Sequence, residues 1–220
     1  MLFVWYKVSF DEKWSHGSAV CETVYFFVEF VCVFPWKCVS LNNQNRGKIM
    51  DGILRKLPIG IQTFEKLREG DYLYVDKTAL VWRIASTETP YFLSRPRRFG
   101  KSLLLSTFEA YFEGKKELFE GLAIADMEKE WKKYPVLHLD LNAEKYDSPQ
   151  ALVEILSRQL TQWELKYGKG EDEETLSGRF AGVIRRASEQ ADRGVVVLVD
   201  EYDKPLLQAL DDGALSLIHI

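Results

Sequence analysis

One stretch constrains this chain more than any other: residues 91–107, which read YFLSRPRRFGKSLLLST. A short apolar run leads into a loop rich in arginine, then Gly-Lys-Ser, then the apolar start of a helix. This order places backbone N–H groups at the mouth of the helix, where they can surround phosphate oxygens. In such a loop Lys101 supplies positive charge and the hydroxyl of Ser102 can ligate Mg²⁺. The pattern departs from GxxxxGK[ST] at one position, because Arg95 replaces its first glycine.

A second motif lies near the end of the chain. Residues 195–199 (VVVLV) are typical of a strand that is buried on both faces of a parallel sheet, and Asp200 and Glu201 follow directly. This is the Walker B arrangement, in which Asp200 holds Mg²⁺ through water and Glu201 polarises the water that attacks the γ-phosphate. Because ligands bind at the carboxyl ends of parallel strands, we expect both motifs to meet in one crevice. Alternatively, the two acids cap the helix that follows.

The hydrophobic pattern between the motifs predicts an α/β fold. Ser148 as N-cap and Pro149 as the first helical residue open one long helix. Apolar residues at positions 176, 180, 183, 184 and 187 indicate the core-facing stripe of the next helix. The predicted elements are a short helical or turn segment at 64–67, a strand at 72–75, a helix at 78–85, a strand at 91–94, a helix at 101–112, a small helix at 126–134, a strand at 136–141, helices at 149–167 and from 176, and a strand at 195–199.

Residues 1–49 differ from the rest of the chain, since they contain many aromatic and β-branched residues with no clear helical or alternating period. We expect an accessory strand, a weakly membrane-associated stretch, or translation upstream of a true start at Met50. The apolar run at 24–34 is too short for a membrane span, and no signal-peptide pattern is visible, so a cytoplasmic protein is expected. Three cysteines confined to this segment give neither a zinc site nor a disulfide framework.

Composition narrows the function classes. A chain of 220 residues with 46% hydrophobic residues suits one soluble globular domain, and its net charge of -4 argues against nucleic-acid binding by bulk charge. The arginines at positions 95, 97 and 98, stiffened by Pro96, either form a solvated loop or supplement a phosphate or nucleic-acid contact. His138 shares a strand face with Asp140, and a satisfied strand residue is favoured over a metal ligand.

Three segments together resemble the bacterial AAA-ATPase-like family: residues 57–78, residues 92–122 and residues 197–206. Members of this family are P-loop proteins often joined to a C-terminal PD-(D/E)XK nuclease domain. The resemblance implies an ATP-binding, ATP-hydrolysing domain with Mg²⁺ as cofactor, folded as a three-layer sandwich with a mainly parallel sheet. The family's loop also carries arginine where the first glycine is expected. The implied site comprises Glu201 and Lys101 for catalysis, Ser102 and Asp200 for the metal, and the nucleotide-binding residues Arg95, Pro96, Arg97, Arg98, Phe99, Gly100, Lys101, Ser102 and Leu103.

The same resemblance predicts a sheet order of 5-1-4-3-2, in which the strand between the loop strand and the Walker B strand follows Walker B in sequence. Because the chain stops at Ile220, we expect a fragment without its fourth and fifth strands, whose loop strand and Walker B strand lack a neighbour. Residues 215–220 (LSLIHI) resemble a translated transposase adapter. The expected organisation is an atypical segment at 1–49, the N-terminal part of a P-loop domain at 50–214 and a non-native tail at 215–220.

Two function classes remain open from the sequence. The first is an ATPase that drives or switches a linked or partner module, such as a nuclease or a nucleic-acid-binding part. The second is a nucleotide-binding interaction module without turnover. Glu201 favours the first, and the altered loop at Arg95 favours the second. Phosphoryl transfer to a small acceptor would require an acceptor pocket that the sequence does not indicate.

Overall fold

The computed structural model describes residues 2–8, 55–87, 90–94, 99–142, 149–171 and 173–205 of the chain. Strands and helices alternate through most of this length, as expected of an α/β fold. In chain order the elements are β1 (Leu2–Val8), α1 (Phe64–Glu69), α2 (Thr78–Ala85), β2 (Tyr91–Ser94), α3 (Lys101–Phe112), a 3₁₀ helix (Lys116–Phe119), α4 (Ala123–Met127), β3 (Val136–Asp140), α5 (Pro149–Tyr167), α6 (Leu176–Ala191) and β4 (Val195–Asp200).

The described strands form one sheet in the order β2-β1-β4-β3. β3 and β4 are parallel, with Asp140 opposite Asp200 at their carboxyl ends. β1 runs antiparallel to both of its neighbours, and Trp5 is the register partner of Tyr91 on one side and of Leu198 on the other. β2 and β4 therefore point the same way, so the loop after β2 and the acids after β4 leave the same edge of the sheet.

The position of β1 corrects one expectation from the sequence. The loop strand and the Walker B strand were expected to lack a neighbour, but the backbone of Leu2–Val8 pairs with both of them. An accessory strand was one of the three expectations for residues 1–49, but an apolar and aromatic run without alternation does not reveal which strands it pairs with. The apolar run at 24–34, the cysteines and residues 215–220 lie outside the described residues.

The two faces of the sheet carry separate hydrophobic clusters. Alternate residues of β4 point to opposite faces, as the strand period requires. Val196 and Leu198 join a cluster with α3, whereas Val195, Val197 and Val199 join a cluster with α5 and α6. All six residues of β4 are buried, which explains why this strand reads as an uninterrupted apolar run.

Most of the elements predicted from local pattern are found at nearly the predicted bounds. Two predictions are wrong. Residues 72–75 form only an isolated bridge, between Tyr72 and Lys56, rather than a strand. The small helix expected at 126–134 lies earlier, at Ala123–Met127, since its first turn is held by Asp76 and Thr78, whose oxygens accept bonds from the backbone N–H groups of Ala123 and Ile124.

Candidate functional site

The start of α3 lies at the carboxyl edge of the sheet. Gly100 is its N-cap, with φ 71° and ψ 31°, a left-handed conformation that glycine adopts without strain. Lys101 is the first helical residue and is 6% exposed, whereas Phe99 before the turn is 62% exposed. Ser102 is half-buried, and Leu103 packs against the cluster beneath α3. Residues 95–98 lie outside the described part of the chain.

The end of β4 lies at the same edge. Asp200 is 7% exposed and points to the α3 face, because it alternates with Val196 and Leu198. The next residue, Glu201, has a φ of 55°, which is unusual for a residue other than glycine. The turn that follows is closed by a hydrogen bond of 3.0 Å from the Lys204 backbone N–H to the Glu201 carbonyl.

Electrostatic interactions connect the start of α3 with the end of β4. Burial and the neighbouring Asp200 carboxylate raise the pKa of Glu201 above its usual value, and the Lys101 ammonium partly offsets this rise. A carboxyl group with a raised pKa is better matched to accept a proton near neutral pH. Lys101 and Glu201 therefore lie at the same edge of the sheet, at the ends of the elements that carry the two motifs.

A further polar group lies on the same face of the sheet. Asp140 is the register partner of Asp200, and His138 sits two residues earlier on β3. The Nδ1 atom of His138 lies 3.1 Å from a carboxylate oxygen of Glu109 on α3. Burial lowers the pKa of His138, but the bond to Glu109 and the charges of Glu109, Asp140 and Asp200 outweigh it and raise this pKa.

A match to a protein family covers both motifs at this edge of the sheet. A family model described as a predicted AAA-ATPase matches residues 58–219, which is most of the chain. The chain belongs to this AAA-ATPase-like family. This match confirms the resemblance inferred from the sequence. The family's description as a predicted AAA-ATPase indicates nucleotide binding.

One relative of this AAA-ATPase-like chain is an uncharacterized protein in the vnfD 5′ region of Azotobacter chroococcum mcd 1. It is 45% identical over 157 residues, which make up 71% of this chain and 30% of the relative. The chain thus spans less than a third of the relative's length. No solved structure matches the chain.

Two further observations bear on the site of this AAA-ATPase-like chain. Across the described ranges, no three His, Cys, Asp or Glu side chains group so as to hold a metal ion. Within those ranges, no helix combines the length and the apolar character of a membrane span.

Sequence reasoning missed two partners near the site. Glu109 on α3 was not singled out in the sequence, and it pairs with His138 on β3. Lys204 was not singled out in the sequence, and its ammonium donates a hydrogen bond to the Asn142 carbonyl after β3. No local signal reveals either pair, because each joins residues that are distant in sequence.

Proposed function

We propose that this chain forms the P-loop part of a Mg²⁺-dependent ATPase, built as a three-layer α/β sandwich, that drives or switches a linked or partner module. One observation carries the proposal. Lys101 at the start of α3 and the acids Asp200 and Glu201 at the end of β4 lie at the same edge of the sheet, where Lys101 and Asp200 are buried, although a long stretch of sequence separates them. A lysine and a carboxylate with a raised pKa at one edge of a sheet suit the hydrolysis of a phosphoanhydride bond.

The chain's own groups divide the work. The N–H groups at the start of α3 and the Lys101 ammonium bind and orient the phosphates, and the helix dipole favours their negative charge. Glu201 orients the attacking water and accepts its proton as the water oxygen bonds to the γ-phosphate, while the phosphoanhydride bond to the β-phosphate breaks and ADP leaves. The arginines at 95, 97 and 98 supplement the phosphate cradle in this proposal.

Mg²⁺ is the metal that this donor set suits. Asp200 and Ser102 would hold it, since both offer the hard oxygen ligands that Mg²⁺ prefers. A cluster of three carboxylates is not required, because Mg²⁺ commonly takes one or two protein ligands together with substrate phosphates and water. When bound, the ion offsets the negative charge of the phosphates.

The partner module belongs to the proposal as well. The relative in Azotobacter chroococcum mcd 1 extends well beyond the matched region. An ATPase within a longer protein suits a switch or motor that acts on another part, and a nuclease or nucleic-acid-binding module is the class we propose.

The test compares the full chain with two variants, using a fluorescent ATP analogue for binding and phosphate release for turnover. Lys101→Ala should abolish binding, since the phosphates lose their buried positive charge. Glu201→Gln should keep binding and lower phosphate release by about 10²-fold or more, because the amide cannot accept the proton.

Lys132→Ala is the matched control, since this lysine is exposed and pairs with Glu130 away from the edge. It should bind and turn over like the unmodified chain. Unchanged release in both Lys101→Ala and Glu201→Gln would refute the site. Binding without release in the unmodified chain would instead support the interaction module.

A further inference from the structure

Glu201 holds a backbone conformation that needs support from its surroundings. Its φ of 55° lies in the left-handed region, which costs a residue with a side chain free energy and persists only where neighbouring contacts enforce it. Such strained positions concentrate at functional sites, where they aim a side chain. The contacts of the turn after Glu201 therefore decide where its carboxylate points.

Two contacts hold that turn from different sides. The ring of Tyr202 lies 6.0 Å from the ring of Phe92 on β2 and packs on the cluster formed with α5 and α6. Lys204 donates its backbone N–H to the Glu201 carbonyl, and its ammonium donates to the Asn142 carbonyl at 2.5 Å. The same ammonium lies 3.3 Å from the Asn142 side-chain oxygen.

The segment that accepts the hydrogen bonds of the Lys204 ammonium, residues 141–142, is itself hydrogen-bonded to the carboxyl edge of the sheet. The Leu141 N–H donates to the Asp200 carbonyl at 3.1 Å, and the Asn142 N–H donates to a carboxylate oxygen of Asp140 at 2.7 Å. A hydrogen bond from a charged donor is stronger than one from a neutral donor. The Lys204 ammonium therefore makes the strongest hydrogen bond between the turn after β4 and the turn after β3.

We infer that Lys204 is a positioning residue, which joins the turn after β4 to the turn after β3 and thereby aims the Glu201 carboxylate. This inference rests on the proposed function. Lys204 lies three residues beyond Glu201, and its own bonds go to backbone carbonyls and an amide oxygen, so it acts through Glu201. Without its ammonium, the packing of Tyr202 keeps the turn folded, but Glu201 is held less firmly.

The test uses the full chain with Lys204→Met, Lys204→Arg and Asn142→Ala. Lys204→Met should lower phosphate release about tenfold with affinity for a fluorescent ATP analogue unchanged, since a small misplacement of a reacting group is costly in rate. Lys204→Arg keeps a cationic donor and should restore most of the rate. Asn142→Ala should change the rate by less than about twofold, because the backbone carbonyl that accepts the shorter bond remains.

Hydrogen–deuterium exchange gives a readout that needs no nucleotide. Lys204→Met should speed exchange in peptides that cover 200–205 and 141–142, whereas the control Lys132→Met should not. Unchanged exchange in those peptides, or a rate equal to that of the unmodified chain, overturns the inference. Full turnover in Glu201→Gln would instead overturn the proposed function, and the exchange result would still decide whether Lys204 holds the turn.

Discussion

Glu201, at the carboxyl edge of the sheet, combines a strained backbone with a shifted carboxyl pKa. Glu201 adopts a positive φ, and burial together with Asp200 raises its pKa. Both features cost free energy in the folded state, since a buried charge and a left-handed backbone are each unfavourable. Residues that carry such costs are candidates for function, and Glu201 carries both of them.

Replacing Glu201 by glycine should relieve the backbone strain. Glu201→Gly should be more stable than Glu201→Ala by about 1 kcal/mol, because both lose the carboxylate but only glycine adopts a positive φ freely. Urea unfolding of the two variants measures this difference. Equal free energies of unfolding would show that the turn is not strained.

The pair of His138 and Glu109 should make stability depend on pH. The charge and hydrogen bond of His138, aided by Lys115, lower the pKa of Glu109 despite its burial, so its contribution is full above its ordinary pKa of 4.5 and is lost as the pH falls through the lowered value. The raised pKa of His138 gives the opposite sign: its contribution is full below its ordinary pKa of 6.5 and is lost as the pH rises through the raised value.

The unmodified chain should therefore exceed His138→Gln in Tm by the largest margin between about pH 4.5 and 6.5. Thermal unfolding of both chains across about pH 4 to 9 measures this margin. A margin that stays constant with pH would mean that folding shifts the pKa of neither His138 nor Glu109.

Between elements, one short motif connects two helices. Asp76 accepts bonds from the backbone N–H and the hydroxyl of Thr78 at the start of α2, and from the Ala123 N–H at the start of α4. The Thr78 hydroxyl in turn accepts a bond of 3.1 Å from the buried Ile124 N–H. Two helix starts thus share one pair of polar side chains, which satisfies N–H groups that have no partner within their own helices.

Thr78→Val should destabilise the chain by roughly 1–3 kcal/mol, because it leaves the Ile124 N–H buried without a partner. Thr78→Ser keeps the hydroxyl and loses one methyl group, at a cost of about 0.8 kcal/mol, so it serves as the control. Denaturant unfolding ranks the two variants. If valine is tolerated better than serine, the hydroxyl does not hold the two helices together.

For the molecule as a whole, the antiparallel strand β1 completes the sheet. Its backbone pairs with β2 on one side and β4 on the other, so the two strands that lead to the candidate site are joined through it. Without β1, each would present an unpaired edge, and such edges promote aggregation. The integrity of the site therefore depends on a segment far from either motif.

A chain that begins at Met50 should lose cooperative thermal unfolding and aggregate, because β2 and β4 lose their shared neighbour. Trp5→Pro in the full chain is the companion variant, since it keeps all other residues but removes a backbone donor within the strand. Light scattering and circular dichroism follow both. A Met50 chain with the Tm of the full chain would show that β1 is dispensable.

Short sequence patterns explain how much of the fold and of the candidate site could be predicted. Lys101–Phe112 and Val195–Asp200 were visible because a helix and a buried strand each impose a period on neighbouring residues. Lys101 and Glu201 were visible because each lies next to such an element. The bridge at Tyr72 and the true position of α4 were not, since they depend on hydrogen bonds that the distant residues Lys56, Asp76 and Thr78 accept.

The sequence by itself determined the α/β character, the family and the strand–loop–helix order around Lys101, because these follow from short patterns read along the chain. Only the tertiary structure decided that Leu2–Val8 lies between β2 and β4, that His138 pairs with Glu109, and that Glu201 turns left-handed beside Lys204. The physical reason is that strand pairing and buried charge pairs join distant residues, and their free energy depends on which surfaces the completed fold brings together.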